Sequence, residues 1–346
     1  MIHEAGSTVY SEKDKILLAH GSGGELSHEL VASLFVKAFA NPILDPLNDM
    51  AVLRVGENRL AFTTDCYVVT PVFFPGGDIG KLAVCGTVND LAMGGATPLF
   101  LSAGFIIEEG FPLSSLEKIV FAMQKTAAEA GVKIVTGDTK VVNRGAADQI
   151  FINTAGIGII PPGVEILGRN AKAGDLVLLS GSIGDHGVAI LSSREGLEFS
   201  TTLMSDCAPL NELVAVMLRA SPRIHCLRDP TRGGLSSALN ELARQSGVGV
   251  WVEEDRIPIK EEVRGACELL GIDPLILANE GKLVAIAAED AAEKILKRMQ
   301  AHPLGKDAAI IGEVREEPKA KVVLRTQIGS TRIMDMMVGE QLPRIC

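Results

Sequence analysis

Helix-like and strand-like hydrophobic periods alternate along this chain on both sides of the run Pro161-Pro162-Gly163. Two prolines and a glycine in succession do not continue a helix or a central strand, so this run predicts a domain boundary. A length of 346 residues also favours two domains. The alternation therefore predicts a two-domain protein of the α/β or α+β class, and periodicity leaves open whether its strands are parallel.

The composition favours tightly packed aliphatic cores. Hydrophobic residues make up 47% of the chain and aromatic residues only 4%, with 36 glycines for tight turns. No apolar run approaches the roughly 18–20 residues that a membrane helix needs. The first fifteen residues carry charges and no apolar signal core. We therefore expect a cytoplasmic protein that buries its excess apolar surface in a homodimer.

The charge and the cysteines exclude several classes of function. A net charge of −10 argues against a nucleic-acid surface, but not against ATP, because magnesium neutralises carboxylates and phosphates together. The chain has no C-x-x-C pair, which argues against a zinc knuckle or a thioredoxin-type motif. Most cysteines lie in apolar sequence and are predicted to be core thiols, with Cys346 as the exception. The six are Cys66, Cys85, Cys207, Cys226, Cys267 and Cys346.

Three aspartates lie within or just after predicted helices and strands, at positions where burial disfavours a carboxylate. Asp65 follows the predicted strand 59–64, and Asp138 follows the predicted strand 132–135 with Lys140 close behind. Asp90 lies inside the apolar predicted helix 78–95, where an unpaired carboxylate is costly. Turn, cap or structural pairing roles remain open for each of them. Together with Lys140 they are typical of a metal-assisted phosphoryl-transfer site.

A glycine-rich run, His20-Gly21-Ser22-Gly23-Gly24, precedes a predicted helix at residues 25–39. Several glycines permit backbone conformations in which neighbouring N–H groups point at one anion. The run is interpreted either as a flap over phosphates or as a hinge before the helix.

The sequence ends in Pro343-Arg344-Ile345-Cys346. A fully extended tail starting at Gly339 reaches roughly 25 Å, far enough to carry a thiol into a site in the body of the protein. The alternative is a frayed terminus. We expect the terminal carboxylate to raise the pKa of the Cys346 thiol and Arg344 to lower it, so that the thiol of a free tail is not strongly acidic.

Four segments together resemble one superfamily, which includes aminoimidazole ribonucleotide synthetase, selenophosphate synthetase and thiamine monophosphate kinase. They are Thr64-Asp65, residues 88–96, Gly137-Asp138-Thr139 and Asp229-Pro230-Thr231-Arg232-Gly233-Gly234. The resemblance implies an N-terminal sheet that forms a barrel across a homodimer and a ferredoxin-like C-terminal domain. It also implies ATP bound between the domains. The expected divisions are an arm and helix at 1–40, an ATP- and magnesium-binding dimerisation domain at 41–160, an α/β domain at 161–336 and a mobile catalytic tail at 337–346.

Within that superfamily, the last four residues resemble those of the hydrogenase maturation factors that act as carbamoyl dehydratases. This resemblance implies ATP-dependent dehydration of a carbamoyl group on Cys346 to a thiocyanate, the source of the cyanide ligand of [NiFe] hydrogenase. It implies HypF as carbamoyl donor and a HypC–HypD complex as cyanide acceptor. The alternatives are small-molecule phosphoryl transfer of the selenophosphate synthetase or thiamine monophosphate kinase type, and a docking peptide at the C-terminus. The absence of cysteine from residues 1–24 counts against selenophosphate synthetase.

The resemblance also implies roles for particular residues. The implied magnesium ligands are Asp49, Asp65, Asp90 and Asp138. The implied nucleotide-binding residues are His20, Gly21, Ser22, Gly23, Gly24, Asn89, Gly137 and Thr139. The implied catalytic residues are Cys346 as nucleophile, Glu280 as base for the carbamoyl nitrogen, and Lys140 near the phosphates or the tail.

Overall fold

The computed structural model describes residues 15–194, 202–337 and 344–346. Residues 1–14 of the predicted arm and 338–343 of the predicted tail lie outside the described residues. The described chain forms two main sheets, one before and one after Pro161-Pro162-Gly163. The predicted mixture of helices and strands in two halves is therefore confirmed.

The first half forms a five-stranded sheet in the order β1-β2-β7-β5-β6, with a separate β3–β4 hairpin. All neighbouring pairs in the sheet are antiparallel except β5 and β6. Its strands are β1 (Ala51–Val55), β2 (Asn58–Tyr67), β3 (Phe73–Phe74), β4 (Gly77–Asp78), β5 (Thr97–Glu108), β6 (Lys133–Val142) and β7 (Ile150–Ile160). Its helices are α1 (Glu25–Leu30), α2 (Lys37–Phe39), α3 (Ile79–Met93) and α4 (Leu113–Ala130), with a π-helical stretch Val31–Val36 joining α1 to α2.

Helix α3 lies at the centre of the first half. The Asp78 carboxylate caps it by accepting hydrogen bonds from the backbone N–H groups of Gly80 at 2.8 Å and Lys81 at 3.0 Å. The helix ends at Gly94 and Gly95, and Gly95 has a positive φ of 69°. Almost every residue of α3 is buried, because the helix packs against the sheet, against α4 and against the helix Asn211–Ala220 of the second half.

The second half forms a seven-stranded sheet in the order β14-β13-β10-β12-β8-β11-β9. Its neighbouring strands are antiparallel except for the pair β10 and β13. The strands are β8 (Leu176–Leu179), β9 (Ile224–Arg228), β10 (Gly249–Glu253), β11 (Val284–Ala287), β12 (Ala309–Arg315), β13 (Lys321–Arg325) and β14 (Thr331–Ile333). The helices are α5 (Asp185–Ser192), α6 (Asn211–Ala220), α7 (Gly234–Ser246), α8 (Glu261–Leu270) and α9 (Glu289–Gln300).

Two strands run further than their sequence pattern predicts. Strand β2 continues through Asp65 to Tyr67, because β7 pairs with it as far as Tyr67 opposite Ile152. Strand β6 continues through Asp138 to Val142, because β5 pairs with it as far as Glu108 opposite Val142. The prediction that Asp65 and Asp138 follow the ends of strands was therefore wrong. Both lie within strands.

Strand β6 is an edge strand with exposed side chains along nearly all its length. Its apolar residues Val135 and Val141 are 58% and 68% exposed. The buried apolar side chains of the described chain form clusters against the second sheet and between α3, α4 and the first sheet. Within the described residues, no helix combines the length and apolar character needed to cross a bilayer.

Candidate active site

A cavity of about 280 Å³ lies between the two halves and is lined by acidic side chains. Asp49 precedes β1 and Asp65 lies in β2, while Asp90 projects from α3. Asp229 follows β9 and comes from the second half. The structure therefore brings three of the four predicted magnesium ligands together and adds Asp229 as a fourth carboxylate.

Burial and mutual repulsion disfavour the ionised form of the carboxyl groups in this cavity. Burial raises the pKa of Asp49 to about 6, although Arg228 acts in the opposite direction. Burial, reinforced by the charge of Asp49, raises the pKa of Asp229 to about 8. Burial and the charges of the other three aspartates raise the pKa of Asp90 well above its usual range. A bound cation would relieve both effects, because it favours the charged carboxylates.

Hydrogen bonds orient two of the four aspartates. The Thr63 hydroxyl contacts the Asp90 Oδ2 at 2.8 Å and the backbone carbonyl oxygen of Asp49 at 3.0 Å. The Cys66 backbone N–H donates to the Asp65 Oδ1 at 2.7 Å. These contacts leave each carboxylate with lone pairs directed at the cavity or at solvent.

A mostly buried arginine, Arg228, lines the cavity and pairs with two carboxylates. The Arg228 Nη1 lies 2.7 Å from the Asp49 Oδ1 and 2.6 Å from the Glu241 Oε2. The Glu241 Oε1 in turn lies 2.9 Å from the His28 Nε2, which ties helix α1 to α7. Burial alone would raise the pKa of Glu241, but Arg228 and His28 hold it below its usual range.

The donor chemistry of the cavity fits a hard divalent cation such as Mg²⁺, which takes oxygen ligands. Among the described residues no group of three ligating side chains converges closely enough to enclose an ion by itself. Magnesium keeps several waters and shares its coordination with substrate phosphates, so an open carboxylate site is compatible with this ion.

The glycine-rich run closes one side of the cavity. The Arg232 Nη1 donates to the carbonyl oxygen of Gly21 at 3.0 Å, and the Ser237 hydroxyl donates to that of Gly23 at 3.2 Å. A Cβ at Gly24 would lie 2.2 Å from the carbonyl oxygen of Met337, so only glycine fits this approach. Of the predicted nucleotide-covering run, Gly23 lines the acidic cavity, while Gly21 and Ser22 line the neighbouring one.

The neighbouring cavity, of about 70 Å³, contains the C-terminal cysteine. The backbone N–H of Val68 donates to the Cys346 oxygen, and that of Thr70 donates to the Arg344 carbonyl oxygen, both at 3.1 Å. Ile345 is buried in the apolar cluster of the first half. Residues 344–346 therefore lie in the body of the protein, as the tail prediction requires. Arg232 lines both cavities and connects the cysteine to the aspartates.

The cation that acts on the Cys346 thiol is Arg232. Burial raises the pKa of this thiol far above its usual range, and Arg232 opposes the rise. Arg344 instead donates from Nε to the Val68 carbonyl oxygen at 2.8 Å and forms an ion pair with Asp148. In this inserted position the Arg344 guanidinium is held by other partners and does not act on the thiol, while the expectation for a free tail stays a prediction.

One cysteine differs from the predicted pattern of core thiols. Cys66 is exposed and lines the same cavity as Cys346, and its Sγ accepts a hydrogen bond from the Asn153 Nδ2 at 3.3 Å. Alternation along β2 explains this position, because Tyr67 points into the core and Cys66 to the opposite face. The buried cysteines are Cys85, Cys207, Cys226 and Cys267.

Glu280 lies in the loop before β11 and is buried. Its backbone N–H donates to the Asp206 Oδ1 at 3.1 Å, and its Oε1 has no hydrogen-bond partner among the described residues. Burial and nearby anionic groups raise the pKa of Glu280 well above its usual range. Its charge acts on the Cys346 thiol and on Arg232, although the side chain lines neither cavity.

Strand β6 holds its predicted site residues away from both cavities. Asp138 is fully exposed, and its Oδ2 lies 2.6 Å from the Lys140 Nζ. Gly137 and Thr139 lie on the same exposed edge strand, which β7 and β5 separate from β2. A single copy of the described chain does not bring these four residues to the aspartates.

Asn89 is buried beside Asp90 and holds the two halves together. Its Oδ1 accepts from the Leu210 backbone N–H at 2.7 Å, and its Nδ2 donates to the carbonyl oxygens of Ala208 at 3.2 Å and Glu280 at 3.4 Å. Because its polar atoms are used inside the protein, this position gives no support to the predicted contact between Asn89 and a nucleotide.

Sequence reasoning did not single out Asp229 as a carboxylate of the cavity or Arg232 as the cation next to the cysteine. Both lie in the Asp229-Pro230-Thr231-Arg232-Gly233-Gly234 segment that carries the superfamily resemblance. A carboxylate directly after the short predicted strand 225–228 was the available signal, since Asp65 and Asp138 were singled out by their predicted places after strands.

Comparisons with known proteins agree with this architecture. The model of the AIR synthase related protein N-terminal domain matches residues 47–160, and that of the C-terminal domain matches residues 172–325. The carbamoyl dehydratase HypE of Azotobacter vinelandii is 55% identical over 329 residues, covering 95% of this chain and 96% of that protein.

Two solved structures are similar over most of their length. A crystal structure of a HypE–HypF complex contains a chain with a TM-score of 0.85 and 52% identity, covering 89% of this chain and 99% of that one. A crystal structure of HypE in complex with ATP gives a TM-score of 0.81 and 51% identity, covering 96% of this chain and 100% of that one. The chain therefore belongs to the AIR synthase related proteins and, within them, to the HypE family of hydrogenase maturation proteins.

Proposed function

We propose that this protein is an ATP-dependent carbamoyl dehydratase that converts an S-carbamoyl group on Cys346 into a thiocyanate. The observation that carries the proposal is the position of Cys346, whose cavity shares Arg232 with the cavity of the four aspartates. The relatives' name, carbamoyl dehydratase HypE, and the ATP complex of a similar structure support the same reaction. The thiocyanate supplies the cyanide ligand of [NiFe] hydrogenase.

The reaction balances as a phosphoryl transfer followed by an elimination. The oxygen of Cys346–S–C(=O)–NH2 attacks the γ-phosphorus of ATP, and ADP leaves. The two nitrogen protons are then lost and the carbon–oxygen bond breaks, which releases phosphate and leaves Cys346–S–C≡N. Phosphorylation is required because oxide is a poor leaving group and phosphate a good one.

The acidic cavity is proposed to hold the triphosphate with magnesium. Asp49, Asp65, Asp90 and Asp229 would hold the ion, which neutralises charge on the transferring phosphoryl group when bound. Helix α7 begins at Gly234 in the cavity wall, and a helix N-terminus favours phosphate. The run from His20 to Gly24 would cover the nucleotide from the other side.

Glu280 is the proposed base for the nitrogen protons. A buried carboxylate with a raised pKa and an unpartnered oxygen is typical of a group that exchanges protons in a reaction. Because Glu280 lines neither cavity, the carbamoylated tail must approach it from the position of Cys346.

A homodimer is proposed to complete the site. Asp138 and Lys140 are exposed on an edge strand with exposed apolar residues, where a second copy can add its own strands. A barrel formed across two copies would place these residues, with Gly137 and Thr139, at an interface. Lys140 would then act near the phosphates or the tail.

HypF is the proposed carbamoyl donor, and the HypE–HypF complex among the similar structures supports this partner. A HypC–HypD complex is the proposed acceptor of the cyanide. One thiol that meets a donor, an ATP site and an acceptor requires a tail that leaves and re-enters the cavity.

Intact-protein mass spectrometry tests the proposal. The protein is incubated with HypF, carbamoyl phosphate and ATP, beside a Cys346→Ala variant. We expect a gain of one carbamoyl group followed by the loss of one water, both absent in the variant. Consumption of ATP with no mass change at Cys346 would instead indicate a free small-molecule acceptor.

A further inference from the structure

His186 connects the end of the chain to both halves of the protein. It lies in helix α5 and is fully buried. Its Nε2 lies 2.8 Å from the Ile345 carbonyl oxygen, and its Nδ1 lies 2.8 Å from the Ser205 hydroxyl. The Phe74 ring of the first half meets it edge-on, with 5.5 Å between ring centroids.

The hydrogen-bond partners determine where the imidazole carries its proton. The Cys207 backbone N–H donates to the Ser205 Oγ at 3.1 Å, so the Ser205 hydroxyl is free to donate to Nδ1. A carbonyl oxygen only accepts, so Nε2 carries the proton and donates it to Ile345. Burial lowers the pKa of His186, which favours this neutral form.

Of the three carbonyl groups at residues 344–346, that of Ile345 is the one that the segment after β2 does not bind. The Val68 and Thr70 N–H groups bind the oxygens of residues 346 and 344. His186 binds the oxygen of residue 345, which lies between them in sequence, and so fixes the peptide plane that precedes the Cys346 thiol.

We propose that His186 is a positioning residue whose Nε2–H holds the C-terminal tail in its inserted position and aims Cys346 at the ATP site. The effect on turnover rests on the proposed function, whereas the hold on the tail does not. If this donor is removed, the Ile345 carbonyl oxygen is buried without a hydrogen bond. The fraction of molecules with residues 344–346 in the inserted position should then fall, because this position becomes less stable than the released one.

The rate of alkylation of Cys346 reports on the fraction of molecules in which the tail has left the cavity, because the released thiol reacts faster than the inserted one. All variants carry Cys66→Ser, which removes the exposed thiol of the same cavity, and buried Cys226 serves as internal control. The side-chain amide of His186→Asn occupies the position of the imidazole Nδ1 and cannot reach the Ile345 carbonyl oxygen. The longer side chain of His186→Gln places an amide N–H near the position of Nε2 and so keeps the donor. We expect His186→Asn to accelerate iodoacetamide labelling of Cys346 by about threefold to tenfold, the range of one net hydrogen bond. His186→Gln should stay within about twofold of the parent. Equal rates in the parent and the Asn variant would overturn the proposal.

A measurement on the native side chain applies even if the Asn variant does not fold. In ¹⁵N-histidine NMR spectra, the His186 Nε2 proton should exchange slowly in the full chain. Deletion of residues 344–346 should make it exchange rapidly or disappear. A signal that the deletion leaves unchanged would contradict the contact.

Turnover separates positioning from ATP binding. We expect His186→Asn to lower kcat for dehydration about tenfold with an unchanged KM for ATP, and His186→Gln to restore most of it. A raised KM with an unchanged kcat would contradict a positioning role. If labelling changes as expected but the parent protein performs no dehydration, the hold on the tail stands and the proposed function fails.

Discussion

The Arg232 Nη1 donates a hydrogen bond to the carbonyl oxygen of Gly21 at 3.0 Å, while its charge acts on the Cys346 thiol. One guanidinium thus contacts the glycine-rich run and lines both the cavity of the cysteine and the cavity of the aspartates. The position of this run and the insertion of the tail are therefore expected to depend on the same side chain.

Replacement of Arg232 by Gln should slow dehydration about a hundredfold, the cost of one preorganised donor at developing charge. Arg232→Lys keeps the charge and should retain more activity than Gln. Single-turnover kinetics with preloaded carbamoyl protein measure the effect. Equal activity of the parent and the Gln variant would contradict a role of Arg232 in the reaction.

Arg228, which lines the cavity of the aspartates, is predicted to stabilise the fold. Arg228→Met leaves Asp49 and Glu241 without their buried cation, so the free energy of unfolding should fall by about 3–5 kcal/mol. Denaturant unfolding measures this change. As a control, Lys125→Ala removes an exposed pair with Glu129 and should change stability by less than about 0.5 kcal/mol. Similar losses in both variants would contradict the assignment.

Replacement of Asn89 distinguishes a role in stability from a role in nucleotide binding. Asn89→Ala removes the bonds to the backbone of residues 208 and 210 and should lower the free energy of unfolding by about 1–3 kcal/mol. The KM for ATP should remain unchanged in the folded fraction. A raised KM without loss of stability would show that Asn89 contacts the nucleotide after all.

The acidic cavity predicts a stability that depends on pH and on magnesium. The folded-state pKa values of Asp49 and Asp229 are raised to about 6 and about 8, so the folded protein holds protons that the unfolded chain releases. This contribution is complete below the ordinary pKa of aspartate and is lost as the pH rises through 6 and 8. In EDTA the Tm should therefore fall between pH 6 and pH 8.5, and Mg²⁺ should reduce the fall. A Tm that rises over this interval in EDTA would contradict the account.

The exposed edge of the first sheet predicts where two copies meet. Val135→Glu places a charge on β6 and should shift the protein from dimer to monomer in light scattering coupled to size-exclusion chromatography. Leu269→Glu changes a similarly exposed residue on α8 and serves as the control. A Val135→Glu protein that remains dimeric would place the interface elsewhere.

Local patterns were sufficient for helix α3 and for part of the site, but not for the full length of two strands. The Asp78 cap and the glycines after α3 fix that helix from neighbouring residues alone, and the prediction was confirmed. The extents of β2 and β6 depend on pairing with β7 and β5, which lie far away in sequence. Local periodicity contains no information on such partners.

The contacts of the site were harder to predict for the same reason. The partner of Arg344 is Asp148 rather than the adjacent thiol, and the partner of the Ile345 carbonyl group is His186. These pairs are separated by more than 150 residues and arise only when both halves have folded. The carboxylates were identifiable because an aspartate in apolar sequence is costly wherever it lies.

The central claim is that ATP activates the carbamoyl oxygen on Cys346, and oxygen labelling tests it most directly. Protein carrying a carbamoyl group at Cys346 with ¹⁸O at its carbonyl oxygen is mixed with unlabelled ATP, and the released phosphate is analysed by mass spectrometry. The account predicts one ¹⁸O atom in the phosphate for each thiocyanate formed. Unlabelled phosphate alongside a thiocyanate would contradict it, because the oxygen would then have left by a route that does not involve ATP.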